Sequence, residues 1–263
     1  HEVEEAQALR EAGFVEEEIL MLRSTTDREL LEKLVDLNVV CTVSSVDTGM
    51  ALNALAGNRS TVAEAHIQVD TGMGFGGFLV SEPEKLLLAY RSMPNVALSG
   101  VYTQLHAARP NDPQAKRQLE QFQQALDAIH QAGFETGVVH AAGSFALLHG
   151  LAPELDGVRA GSAVLGRCRR TRDDGLKTVG FGQAPLTEVR WLPKGHVLGV
   201  DRPVTLKKPT RVAVLPVGYG DGYPRQLSNQ ADVLIHGTPC PVLGRICMDM
   251  CMVDVTDLPQ VQA

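Results

Sequence analysis

The sequence predicts an α/β chain: a partial (β/α)8 TIM-type barrel followed by a C-terminal all-β domain. Two observations carry this prediction. Over the first two thirds, short apolar runs alternate with helical patterns, as repeated βα units do. From about residue 185 the pattern changes to short strands parted by Pro and Gly turns. A polar stretch over 170–182 lies between the two regions, which gives domains of 1–176 and 177–263.

An opening helix is expected over about 2–12, and an apolar run at 19–22 reads as the first strand segment. Thr26-Asp27-Arg28-Glu29 has the form of a capping box that opens the next helix. A strand is expected at 39–43, a helix at about 46–56 and a strand at 63–69. Ser81-Glu82-Pro83-Glu84 opens another helix, with Pro in its first turn. The strand at 96–103 is followed by a long helix that starts at Asp112-Pro113. Its apolar face carries Leu119, Phe122, Leu126 and Ile129, and Gly133 ends it. Residues 138–141 and 157–159 are the last barrel strands expected. Such a segment is short against the ~250 residues of a whole barrel, so it reads as a barrel lacking units. A start at His1, inside a helical pattern, likewise reads as a trimmed or partial chain. In the second domain, strands are expected at 187–192, 197–200, 212–217, 233–236 and 248–255.

A net charge of −7 argues against nucleic acid or an anionic membrane surface as partner. No apolar run approaches the ~18 residues of a membrane span. The five cysteines (Cys41, Cys168, Cys240, Cys247 and Cys251) show no disulfide framework, which fits reduced thiols in the cytoplasm. Cys247 and Cys251 lack a second ligand pair, so they read as strand cysteines and no metal site is expected.

Three segments carry more specific information. Asp70-Thr71-Gly72-Met73-Gly74 follows a strand directly, and Val158-Arg159-Ala160-Gly161 follows another. Gly218-Tyr219-Gly220-Asp221-Gly222-Tyr223 is followed downstream by Cys247-Met248-Asp249. In order, spacing and domain context these resemble the alanine racemases, which are pyridoxal-phosphate enzymes of an α/β barrel plus a β domain. The resemblance covers nearly the whole chain.

The resemblance implies an isomerase that interconverts L- and D-alanine by two-base proton transfer. Racemisation removes a Cα proton on one face and returns one on the other, so it needs a base on each face. Tyr219 matches the family's catalytic tyrosine, which acts on the partner's cofactor. A homodimer with shared active sites is therefore implied, with a small amino acid as substrate. Read without the resemblance, Tyr219 is a strand-end tyrosine at a Gly-rich turn. Arg159 matches the arginine that faces the cofactor's pyridine nitrogen. A guanidinium only donates, so it keeps that nitrogen unprotonated; the bland reading is a barrel-mouth ion pair. Ser144, Gly161 and Ser162 match the phosphate cradle, and otherwise read as cap and turn residues. Met248 and Asp249 match the segment that lines the substrate site, where structural turn residues look alike.

The chain also departs from the family pattern. The cofactor lysine stands in a Lys-Ala-Asn/Asp-Ala-Tyr-Gly-like segment, and none of Lys33, Lys85, Lys116, Lys177, Lys194, Lys207 or Lys208 does. Gln68 and Phe75 stand where the family has a lysine and the arginine that holds the substrate carboxylate. Gln104 stands where it has a histidine, and Gly143 where asparagine is usual. His106, two residues beyond Gln104, is a candidate substitute for that histidine. A racemase of another amino acid such as serine, a catalytically impaired pyridoxal-phosphate-binding homologue, and a decarboxylase of related architecture are the alternatives.

Overall fold

The computed structural model describes residues 1–106, 112–151, 154–167, 175–199 and 203–263. Cys168, Val200 and the 170–174 part of the expected linker lie outside the described residues. The chain divides into two compact units, His1–Val179 and Gly180–Ala263.

The first unit is built of βα repeats. Helices α1 (Val3–Glu11) and α2 (Arg28–Asp36) precede strand β1 (Cys41–Val43). There follow α3 (Val46–Asn58), β2 (Ala63–Asp70), the short β3 (Phe78–Leu79), α4 (Pro83–Ser92) and β4 (Val96–Tyr102). The unit continues through α5 (Pro113–Gln131), β5 (Val138–Gly143), α6 (Ser144–Leu148) and β6 (Gly157–Arg159). The strands run parallel in the order β1-β2-β4-β5-β6, with β3 on β2. Leu20 bridges Val40 in the same parallel sense and extends the sheet ahead of β1. Strand order that follows chain order, with helices between, is barrel topology. Among the described residues no pairing joins β6 back to Leu20, so the sheet is an open arc.

Local chemistry sets the helix ends. The start of α2 differs from the expected Thr26 box: Asp27 is the cap and accepts the Leu30 N–H at 3.1 Å. Thr25 in turn takes the Asp27 N–H, and this hydrogen bond pre-forms the cap. Ser45 and Thr48 form a reciprocal box at α3. Asp112 caps α5 with Pro113 in its first turn, and Gly133 follows its end at φ 80°. The buried stripe of α5 (Ala115, Gln118, Phe122, Ala125, Leu126 and Ile129) has the i, i+3/i+4 spacing of one helix face.

Strand β2 is buried on both faces, as a strand covered by helices on one side and barrel interior on the other must be. Ala65, Ile67 and Val69 are buried in the apolar core. His66 and Gln68 alternate with them and so face the interior. Register carries that face across the arc: His66 pairs with Gly100, Gln68 with Tyr102, Tyr102 with His140 and His140 with Gly157.

The second unit contains β7 (Glu188–Leu192), β8 (Val197–Leu198), β9 (Val204–Thr205), β10 (Thr210–Leu215), β11 (Asp232–Ile235), β12 (Thr238–Leu243) and β13 (Cys251–Asp254). Five of them form an antiparallel sheet of order β11-β12-β13-β10-β7. Two details depart from expectation. The last strand begins at Cys251 rather than Met248, because 247–250 make a turn closed by Cys247 N–H to Met250 O at 2.9 Å. Strand β12 contains Pro239 and Pro241, which argue against a strand in sequence terms. Both lie where β12 pairs with β11, while β13 pairs only with Val242 and Leu243, where the missing donors do not matter.

Ile129 is fully buried in the α5 stripe. Ile129→Ala is expected to destabilise the protein by about 2–5 kcal/mol, read as a lower urea midpoint in far-ultraviolet circular dichroism.

Candidate functional site

In the first unit the C-terminal ends of β4, β5 and β6 converge on one guanidinium. Arg159, the last residue of β6, is held on every side by neutral groups. Its Nη2 donates to Thr103 O at 2.7 Å and to Gln104 Oε1 at 2.9 Å. Its Nη1 donates to His140 Nδ1 and reaches His140 O at 3.3 Å. The guanidinium also lies over the Tyr102 ring, 5.1 Å from its centroid. No carboxylate pairs with it among the described residues. Its Nε–H has no hydrogen bond among them. Burial lowers the Arg159 pKa from its ordinary value, and Tyr102 opposes the shift. The result is a partly buried cation with one N–H unbonded among the described residues, which suits an electron-rich acceptor such as a pyridine nitrogen.

Beside it, Ser144 opens α6 at the end of β5. Its hydroxyl oxygen accepts the Gly161 and Ala163 N–H groups, each at 3.1 Å. Two backbone donors thus converge on one oxygen, as a phosphate oxygen would require. Ser162, between them, is exposed, and its carbonyl accepts the Arg167 N–H at 2.8 Å. Three of the residues expected at the cofactor (Ser144, Arg159 and Gly161) therefore come together on two adjacent strand ends, with Ser162 next in chain. Pyridoxal phosphate fits this arrangement at both its ring nitrogen and its phosphate. The seven lysines all stand outside β1, β2, β4, β5 and β6.

The neighbouring loops are shaped by capping. Asp70 accepts the N–H groups of Gly72, Met73 and Gly74, and this fixes the turn after β2. Phe75 projects from that loop, 74% exposed. His106 does not take the role of substitute histidine. Its Nδ1 meets Gln118 Oε1 at 3.0 Å and its Nε2 meets Asp112 at 3.2 Å, so both ring nitrogens are committed to α5. Gln118 also donates to Thr71 and to Gln104 O. Gln104 itself is a ligand of Arg159.

Several of these residues were missed in the sequence: His66, His140, Tyr102 as a stacking partner, and Gln118. The available signal was polar or aromatic residues at period two in otherwise apolar strands. His66, Tyr102 and His140 occupy the interior parity of three adjacent strands.

In the second unit the two motif segments meet through their backbones. The Tyr219 N–H donates to Cys247 O at 2.9 Å and the Gly220 N–H to Met248 O at 2.8 Å. A Cβ at Gly218 would lie 2.3 Å from both carbonyl oxygens, so only glycine admits this approach. Asp221 accepts the Gly218 N–H and closes a 3-10 turn over Tyr219–Asp221. Tyr219 stays 44% exposed, with Arg225 over its ring at 5.3 Å. Met248 and Asp249 are exposed beside it.

Comparison with known proteins finds relatives across both units. Residues 1–168 match the model of the alanine racemase N-terminal domain, and residues 182–263 that of the C-terminal domain. The alanine racemase of Halothermothrix orenii is 33% identical, over 98% of this chain and 69% of its own length. That of Desulfovibrio desulfuricans is 34% identical, over 98% and 70%. The crystal structure of alanine racemase from Bartonella henselae with covalently bound pyridoxal phosphate aligns at a TM-score of 0.86 and 26% identity, covering 99% of this chain and 72% of that one. Alanine racemase from D-cycloserine-producing Streptomyces lavendulae aligns at 0.85 and 28%, covering 96% and 68%.

Burial pushes the His140 pKa down from 6.5 to about 3, with Arg159 and His66 adding to the shift. Its folded pKa is depressed, so the unfolded ring binds the proton between those values. The stability carried by neutral His140 is complete above about 6.5 and is lost as pH falls toward 3. The His140 ring signals are expected to stay neutral-like in NMR between about pH 8 and about pH 5, while an exposed histidine titrates. Titration of His140 near its ordinary value would contradict the burial described.

Proposed function

This chain belongs to the alanine racemase family, and we propose from that premise that it interconverts L- and D-alanine with pyridoxal phosphate. Arg159 is the observation that carries the reading: a partly buried, donor-only guanidinium beside the Ser144 hydroxyl and the two backbone N–H groups that converge on it. In this reading residues 1–176 are the cofactor-binding domain and 177–263 the domain that carries Tyr219.

Pyridoxal phosphate, when bound, supplies the electron sink that acidifies the Cα–H of the amino acid. Arg159 orients the ring nitrogen with its free N–H and, lacking an acceptor, leaves that nitrogen unprotonated. This tempers the sink and disfavours competing reactions. Ser144, Gly161, Ser162 and the Ala163 N–H hold the phosphate. Tyr219 takes or returns the Cα proton at its phenol oxygen, and its position is maintained by the backbone bonds to Cys247 and Met248. Met248 and Asp249 line the substrate. The family's tyrosine serves the partner's cofactor, so a homodimer is the working assembly. In the family the base on the opposite face is the cofactor lysine, which none of this chain's lysines matches.

A cytoplasmic location is supported by free thiols at Cys41, Cys240, Cys247 and Cys251. No described helix is long and apolar enough to cross a membrane. A weakened hold on the substrate carboxylate follows from Phe75 and Gln68, which stand where the family has the arginine that contacts the carboxylate and the lysine that positions it.

Purified protein supplied with pyridoxal phosphate and L-alanine in deuterated water is expected to yield Cα-deuterated D-alanine on chiral analysis. Tyr219→Phe is expected to lower that rate by about 10²–10⁴-fold. Cofactor binding without exchange on any amino acid would instead favour the non-catalytic homologue. Phe75→Arg, alone or with Gln68→Lys, is expected to lower the KM for alanine by about 10–100-fold through a charged hydrogen bond.

A further inference from the structure

We propose that His66 is a positioning residue for this site: it fixes the tautomer of His140, and through it the contact that holds Arg159. The proposal rests on the reading of Arg159 as the group that faces the cofactor's ring nitrogen.

The inference follows from donor and acceptor inventory. A guanidinium has five N–H donors and no acceptor. The His140 Nδ1 can accept from Arg159 only by presenting its lone pair, so that contact requires the His140 proton on Nε2. That Nε2 lies 2.9 Å from His66 Nδ1, which must then accept. The His66 proton is thereby placed on Nε2. This last N–H is buried and makes no hydrogen bond in the structure. It faces the Glu18 carboxylate across 3.8 Å. One direction of donation thus runs unbroken from Arg159 through His140 to His66.

The surroundings keep both rings neutral, as the chain requires. Burial lowers the His66 pKa, Arg159 lowers it further and Glu64 opposes them. A second proton on His66 would set an N–H against the His140 N–H, and one on His140 would set an N–H against the guanidinium. The groups that face the pair are Glu18 ahead of β1, Glu64 on β2, Tyr102 on β4 and Arg159 on β6. The Tyr102 ring stacks on His140 at 5.0 Å and 13°, while its hydroxyl is 3.0 Å from that of Thr42.

The fold makes specific room for the His66 ring. A Cβ at Gly100 would lie 2.6 Å from its Cε1 and Nε2, so glycine at the register partner is a condition of the ring's placement. A histidine kept only for packing would not account for a buried ring nitrogen without a partner. Its other nitrogen has one partner, His140, and that contact is what the proposal assigns to it.

The test is long-range proton–nitrogen NMR on the full chain labelled at histidine nitrogen. In the parent protein His66 and His140 are both expected as neutral Nε2–H tautomers. His66→Asn can place an amide oxygen where Nδ1 stood, and is expected to retain the His140 tautomer. His66→Phe keeps a ring but no acceptor, and is expected to lose it to a mixture. Gly100→Ala pushes on the His66 ring from the other strand and is expected to give the same loss, which keeps the test decisive if the phenylalanine variant fails to fold. An unchanged His140 tautomer in a folded His66→Phe or Gly100→Ala protein overturns the proposal. So does an asparagine variant that behaves like phenylalanine. None of these readouts needs cofactor or turnover, so they fail or succeed separately from the racemase assignment.

Discussion

The contact between Arg159 and His140 constrains the first unit more than any other interaction described. A guanidinium partly buried without a carboxylate is costly unless neutral dipoles surround it. Here they come from two strand ends: Thr103 O and Gln104 beyond β4, His140 and Ala141 O on β5. Each depends on register. A one-residue slip of β5 would send His140 to the helix layer and leave Arg159 facing the apolar core. The polar interior is therefore a specification of the arc as much as a site upon it.

The fold was legible because it is written in periods. The α5 stripe, the cap at Asp112, and the change to Pro- and Gly-punctuated strands all announce themselves locally. The site was legible only where it is written in contiguous residues, as in Gly218–Asp221 or the Arg159 segment. His66, Tyr102 and His140 lie many residues apart in chain, and only sheet register makes them neighbours. His106 misled for a related reason. Strand parity put it near the histidine position, but the chain has left β4 by then, and the cap of α5 claims its ring through Asp112 and Gln118. Thr26 was misread more simply, because Thr25, Thr26 and Asp27 are all capping residues and sequence alone does not rank them.

The substitutions at Gln68, Phe75 and Gln104 do not behave as one group. Gln104 is integrated: its side-chain oxygen ligates Arg159 and its backbone oxygen receives Gln118. Phe75 is not, since it stands in solvent at the tip of a loop whose glycines adopt positive φ on either side. The first looks like a residue that the surrounding network has accommodated. The second leaves the loop's shape, held by Asp70, independent of the side chain it displays.

The turn that presents Tyr219 has the same property to a greater degree. Its anchors are carbonyl oxygens of Cys247 and Met248, not their side chains. Main-chain anchoring is blind to residue identity, apart from the glycine at 218 that permits it. The side chains at 248 and 249 are thus free to vary from one descendant to the next without disturbing where the tyrosine stands. Selection for a new substrate can act on the lining while the proton-transfer group is inherited unchanged.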